Sequence, residues 1–134
     1  MLEKGMYYIC SPLSAATPEG IRENMLKARC YMELINRRFS CRAIAPHAYL
    51  PELLDDENPR ERKLGIEFGL TLLSWCRGMI VCGSKISSGM KTEIQKALEM
   101  QIPVFVLLEE AGQCHLVSFR EECAYEMQIP QKSI

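Results

Sequence analysis

Residues 80–97 read Ile80-Val-Cys-Gly-Ser-Lys-Ile-Ser-Ser-Gly-Met-Lys-Thr-Glu-Ile-Gln-Lys-Ala97. An apolar run stops at Gly83, crosses a short Gly/Ser loop and restarts with helical spacing at Ser88. A fully apolar strand followed at once by an amphipathic helix is half of a βαβ unit, and few folds accept it.

The rest of the chain repeats this alternation. Met6-Tyr-Tyr-Ile-Cys-Ser11 is a β-branched and aromatic run that predicts a first strand. Thr17-Pro18-Glu19 supplies a cap, a fixed φ and an early acid for a helix. Ile21, Met25, Ala28, Met32 and Ile35 recur on one face of that helix, which ends near Arg38. Residues 41–45 predict a second strand stopped by Pro46, and residues 46–59 form a connection long enough to cover a pocket. A second helix spans 59–75, with Leu64, Phe68, Leu72 and Trp75 expected on its inner stripe. Residues 78–82 are apolar throughout, as a strand covered on both faces must be. The helix from Ser88 is expected to bury Met90, Ile94, Ala97 and Leu98, and residues 103–108 predict a fourth strand. A loop through Gly112 and a weaker helical pattern over 118–127 follow. The expected architecture is a flavodoxin- or Rossmann-like α/β fold. It has a doubly wound parallel sheet of four to five strands with helices on both faces, and one domain over residues 1–134.

Composition narrows the partners. A formal net charge of −1 with no Lys/Arg-rich run gives nucleic acid little to bind, so no nucleic-acid partner is expected. No apolar stretch reaches membrane-span length and the start lacks a signal-peptide pattern, so the expected location is cytoplasmic, with no membrane contact. The 7 cysteines are odd in number and none is at Cys-x-x-Cys spacing, which predicts free thiols in a reducing compartment. With only His47 and His115 beside them, no metal or other cofactor is expected.

In open α/β sheets ligands bind beyond the carboxyl ends of the strands, where strand order reverses. For strand order 2-1-3-4 that crevice lies between residues 11–19 and 83–88, both rich in Ser, Gly and Pro. Ser87, Ser88, Gly89 and Met90 open a helix whose unpaired N–H groups suit an anion or a polar sugar edge. Glu93 follows one turn on, where the helix field is expected to keep it ionised, as a nucleophile requires. The simpler alternative makes Ser88 a helix cap and Glu93 a solvated surface residue. Arg22 sits where it can fork onto a phosphate, or pair with Glu19 or Glu23.

Tyr8-Ile-Cys-Ser-Pro12, Arg22-Glu-Asn24, Ala45-Pro-His47, Gly83 with Ser88-Gly-Met-Lys-Thr-Glu93, and Ile102-Pro-Val104 occur in this order. Together they resemble the nucleoside 2-deoxyribosyltransferase superfamily, nearest its small bacterial and phage branch, over roughly residues 6 to 107. That superfamily also contains deoxynucleoside monophosphate N-hydrolases. The resemblance implies a small-molecule nucleoside or nucleotide ligand and a homo-oligomer, dimer or larger. It implies Glu93 as a nucleophile toward C1′ of a 2-deoxyribosyl group, forming a glycosyl ester that water or an incoming base resolves. It implies Tyr8 as a wall for the base, and Ser87, Ser88 and Gly89 as holders of a 5′-hydroxyl or phosphate. Ser11, Pro12, Arg22, His47 and Met90 complete the implied binding set.

The chain departs from that pattern in three places. The second-helix Asp of active transferases falls nearest Gly69, the Asp before strand 3 appears as Arg77, and Lys85 and Ser87 stand where acids precede the nucleophile. Glu67, Asp55, Asp56 and His47 are the substitutes for a proton donor. The alternative expectation is a non-catalytic binder of a nucleotide derivative, such as an ADP-ribose derivative, on the same fold. A subunit with a vestigial pocket is the third.

Overall fold

A computed structural model of the chain describes residues 2–119. The strands β1 (Met6–Cys10), β2 (Arg42–Ile44), β3 (Gly78–Val81), β4 (Val104–Glu110) and β5 (Gln113–Ser118) form one sheet in the order β2-β1-β3-β4-β5. The pairings from β2 through β4 are parallel, and β5 runs antiparallel to β4. The helices are α1 (Pro18–Phe39), a short α2 (Leu50–Leu53), α3 (Pro59–Trp75) and α4 (Ser88–Glu99). The fold is the expected α/β architecture with a mixed edge.

Side-chain alternation along the central strands feeds two cores. Tyr8, Cys10, Met79, Val81, Val104 and Val106 pack with Leu73 of α3 and Met90, Ile94 and Ala97 of α4. Tyr7, Ile9, Ile80, Cys82 and Leu107 pack on the other face with Ala28 and Ile35 of α1. All four residues of β3 are buried, because helices cover it from both sides.

Local chemistry sets the helix ends. Thr17 caps α1 by accepting from the Gly20 N–H, and Asn58 caps α3 by accepting from Arg60 and Glu61. α1 stops at Ser40, which adopts a left-handed conformation with φ 51°.

The connection between β2 and α3 is ordered in its first half by a 3₁₀ turn (Pro46–Ala48) and α2. Arg29 of α1 ties this part down. Its guanidinium donates to the Ala48 carbonyl at 3.0 Å and to Glu52 at 2.8 Å, and lies 4.4 Å from the Tyr49 ring centroid.

Three sequence expectations need correction. Leu64, Phe68 and Trp75 are exposed, at 55, 47 and 67%, whereas Gly69, Leu72 and Leu73 form the inner face of α3. Glycine adds nothing to a hydrophobic pattern, yet Gly69 is buried and a Cβ there would lie 3.4 Å from Tyr8 Oη of the sheet, so the true face is rotated from the apolar stripe. Leu98 is likewise 43% exposed, with the smaller Ala97 taking the buried position. Finally, Gly112 belongs to a two-residue hairpin. Ala111 and Gly112 have φ of 50° and 77°, the double positive φ that a tight β-hairpin needs, and β5 follows directly. The expected helix over 118–127 begins in β5, and from residue 120 onward it lies outside the described residues.

The rotated face of α3 is testable by chemical denaturation. Leu73→Ala, at a site 1% exposed, is expected to cost about 2–5 kcal/mol, and Leu64→Ala under about 0.5 kcal/mol. Equal costs would restore the apolar stripe as the inner face.

Candidate functional site

β1 delivers three polar side chains toward its carboxyl end, and its pleat divides them between the two faces of the sheet. Tyr8 and Cys10 point to the α3/α4 side, and Ser11, the next residue, belongs to the α1 side.

On the α3/α4 side, Glu93 projects from the inner face of α4, in line with the buried Met90, Ile94 and Ala97. Its carboxylate is turned inward. Oε2 accepts a hydrogen bond from the Tyr8 hydroxyl, and Oε1 lies 3.8 Å from the Cys10 thiol, which also reaches the Met90 carbonyl at 3.8 Å. Burial pushes the Glu93 carboxyl up from 4.5 to about 7, against the opposing effect of the hydrogen bonds from Tyr8 and Cys10. Burial and the adjacent Glu93 charge hold the Tyr8 hydroxyl and the Cys10 thiol well above their ordinary values, so both remain protonated donors. The expectation that the helix field keeps Glu93 ionised is therefore corrected. Glu93 lies in the second turn of α4, where that field has faded, and desolvation dominates.

Tyr8 is 4% exposed and its ring is part of the core, so it offers this site a hydroxyl and not the ring face expected of a base wall. Above that hydroxyl stands Gly69. A Cβ at this position would lie 3.4 Å from Tyr8 Oη, an ordinary contact distance, so a small side chain on α3 would meet the Tyr8–Glu93 pair directly.

At the start of α4 the cap is Ser87 and not Ser88. Ser87 Oγ accepts from the Met90 N–H at 3.2 Å, and the Ser87 N–H faces Met90 Sδ at 3.4 Å. Met90 is 1% exposed and its N–H is engaged, which removes it from the expected cradle. Ser88 and Gly89, both exposed, carry the first amides of the helix. A Cβ on Gly89 would meet only Ser87 Oγ, at 4.0 Å, so the backbone there is open to approach.

On the α1 side, Ser11 Oγ lies 2.7 Å from His47 Nε2. Ser11 is 4% exposed, and burial pulls the His47 imidazole down from 6.5 to about 4, so it is neutral at physiological pH. His47 Nδ1 is buried with no hydrogen-bond partner among the described residues. Beside this pair a cleft of about 190 Å³ is lined by Ser11, Pro12, Asn24, Lys27, Tyr31 and the 83–85 loop. Nothing in the sequence marked Lys27 and Tyr31 for this cleft, because their part in it depends on which face α1 turns to the loops. Arg22 is exposed on the first turns of α1 and makes no ion pair among the described residues. Four of the expected residues therefore meet in two pairs, Tyr8 with Glu93 and Ser11 with His47, on opposite faces of β1, while Ser87, Ser88 and Gly89 lie at the start of α4. His47, offered as a substitute proton donor, has the Ser11 hydroxyl as its partner and is too weak a base to hold a proton at neutral pH. Among the described residues no three His, Cys, Asp or Glu side chains cluster as metal ligands, and no helix is long and apolar enough to cross a membrane.

These two buried groups give the fold opposite pH dependences. Between about pH 4.5 and 7 folded Glu93 holds a proton that the unfolded chain releases, so its contribution to stability falls as pH rises. Between about pH 6.5 and 4 the unfolded chain binds a proton that folded His47 refuses, so stability falls as pH drops. Glu93→Gln is expected to stabilise the protein at pH 8 by roughly 2 kcal/mol, with the gain fading toward pH 4.5, and His47→Gln to flatten the acid loss. Thermal melts across this range measure both. An unchanged profile in Glu93→Gln would place the carboxylate in solvent.

In comparison with known proteins, the fold is similar to a 2-deoxyribosyltransferase from the psychrotolerant bacterium Bacillus psychrosaccharolyticus. The match has a TM-score of 0.57 and 13% identity, over 75% of this chain and 70% of that one. At that identity the likeness is one of fold. No curated protein matches the sequence. A family model does, over residues 5–107, a span that includes β1, α4 and every side chain placed above. The chain belongs to the family described as a domain of unknown function, DUF7768.

Proposed function

We propose that the protein cleaves the N-glycosidic bond of a nucleoside or nucleotide, or transfers its 2-deoxyribosyl group, with Glu93 as the nucleophile. The observation that carries this is the inward-facing Glu93 carboxylate, held by the hydroxyl of Tyr8 in the inner strand β1. Burial leaves the ionised carboxylate poorly solvated and therefore more reactive toward a carbon centre, although near pH 7 only about half of it carries the charge. The fold shared with a 2-deoxyribosyltransferase adds the nucleoside-related context.

In this reading the ionised Glu93 attacks C1′ opposite the base, the C1′–N bond breaks and the base leaves with the electron pair, taking its proton from water. Water or a second base then attacks C1′ on the face the first base left, gives up a proton and frees the Glu93 carboxylate. The Tyr8 hydroxyl fixes the carboxylate and donates a hydrogen bond to its ionised form. The Ser88 and Gly89 amides lie at the start of the same helix and serve the 5′ end of the sugar. Gly69 leaves the departing base without a carboxylic acid donor. That absence favours a second reading, a binder of nucleotide derivatives on the same frame. We infer a cytoplasmic location, a reading supported by the six described cysteines, all unbridged.

We also infer a homo-oligomer. Leu64, Phe68 and Trp75 form an apolar stripe on the solvent side of α3, with the 73% exposed Leu53 as a further apolar side chain on α2. A second copy is the partner that fits the superfamily resemblance.

Purified protein given deoxynucleosides and their monophosphates is expected to release free base, measured by chromatography. Glu93→Gln abolishes release, Tyr8→Phe lowers it about tenfold or more, and Gly69→Asp raises it about tenfold or more by restoring an acid. The rate climbs with pH through about 7 as Glu93 ionises. Binding without base release, unaffected by Glu93→Gln, selects the binder instead. For the assembly, Trp75→Glu is expected to convert an oligomer to monomers in sedimentation velocity. A wild-type monomer at high concentration would remove the inference.

A further inference from the structure

The cleft between α1 and the loop after β3 lies across β1 from Glu93 and has a different character. Its charged lining residues are both cations, Lys27 from α1 and Lys85 from the loop. Both are exposed, and neither forms an ion pair among the described residues, where the pairs belong to Arg29, Arg37, Arg77 and Lys96. Two ammonium groups lining one small space repel each other and an anion between them lowers that cost, while the Glu109 carboxylate acts on Tyr31 from outside the lining.

The Ser11–His47 pair adds a fixed donor. Neutral His47 carries one ring proton, and its Nδ1 is buried without a partner. An orphaned buried N–H is costlier than an orphaned lone pair, so the proton belongs on Nε2, which donates to Ser11 Oγ at 2.7 Å. The Ser11 hydroxyl proton is then not engaged by His47 and is available to an acceptor in the cleft that Ser11 lines.

The walls are held in place. Asn24 uses its amide nitrogen on the Leu13 carbonyl at 3.0 Å, which fixes the loop after β1 against α1. Gly83 has φ of 107°, and a Cβ there would sit 3.3 Å from Pro12 Cδ and 3.9 Å from Tyr31 Oη. Any side chain at 83 would therefore fill the junction where the two walls meet, and glycine keeps it open.

We propose that this cleft binds the phosphoryl group of a phosphate monoester, with Lys27 and Lys85 flanking the dianion and Ser11 donating to one oxygen. Two cations and several hydroxyl donors match a dianion with three acceptor oxygens better than a carboxylate. The cleft opens to solvent, so the organic part of the ester extends outward. The site is independent of the Glu93 chemistry and holds whether or not that residue cleaves a bond.

Isothermal titration of the full chain with inorganic phosphate and with ribose 5-phosphate tests this. Both are expected to bind saturably, the ester at least as tightly, with affinity falling as salt rises. Lys27→Gln and Lys85→Gln each weaken binding about tenfold, the loss of one charge-assisted contact. Lys63→Gln, an exposed change on α3, leaves it unaltered. Both lysines are at the surface, so the variants retain the wild-type fold by circular dichroism. Absence of saturable binding overturns the proposal. Binding that survives both lysine substitutions overturns it too, and would assign the anion to the Ser88 and Gly89 amides.

Discussion

The pleat of β1 is the constraint on which this molecule turns. β1 lies between β2 and β3 with α1 on one face and α3 and α4 on the other, so each of its side chains is committed to one side. Tyr8 and Cys10 meet α4, and Tyr7 and Ile9 meet the layer of α1. A slip of one residue would exchange the two sets and bury the wrong surface throughout. The same alternation separates the Glu93 carboxylate from the Ser11–His47 pair, although Cys10 and Ser11 are neighbours in the chain.

Burying Glu93 is the costly feature of the arrangement. Two protic side chains face the carboxylate, and desolvation still outweighs them, so its pKa sits near neutrality. The same low-dielectric surroundings raise the pKa of Tyr8, so the phenol stays a donor and the pair does not become two competing anions. Gly69 matters for the same reason. A carboxylate on α3 at this point would stand against Tyr8 Oη and add a third titratable group to a site already resisting one charge. Glycine at 69 keeps α3 clear of Tyr8 Oη and leaves Glu93 as the carboxylate of this pair.

The two faces divide electrostatic labour. The α3/α4 side carries an acid whose charge is discouraged by burial. The α1 side carries two lysines, a neutral histidine and hydroxyl groups around an open cleft. Both lie at the carboxyl ends of β1 and β3, where parallel strand order reverses and loops diverge, the place at which such sheets leave room for ligands.

Much of this was legible in the residues themselves. The alternation of strands and helices, the order around β1 and β3, and the helix start before Glu93 follow from hydrophobic period and turn chemistry, which act over a few residues. The face that α3 presents was not, because Gly65 and Gly69 carry no hydrophobic signal although close packing runs through Gly69. The β5 hairpin was missed for a related reason: Ala111-Gly112 is a weak turn signal, and the edge strand is only half-buried. What only the tertiary structure decided is where side chains far apart in the chain meet. The Tyr8–Glu93 bond spans 85 positions and the Ser11–His47 contact 36. No local preference encodes such meetings, since they depend on how whole helices seat on the sheet, and that seating sets both the charge of Glu93 and the neutrality of His47.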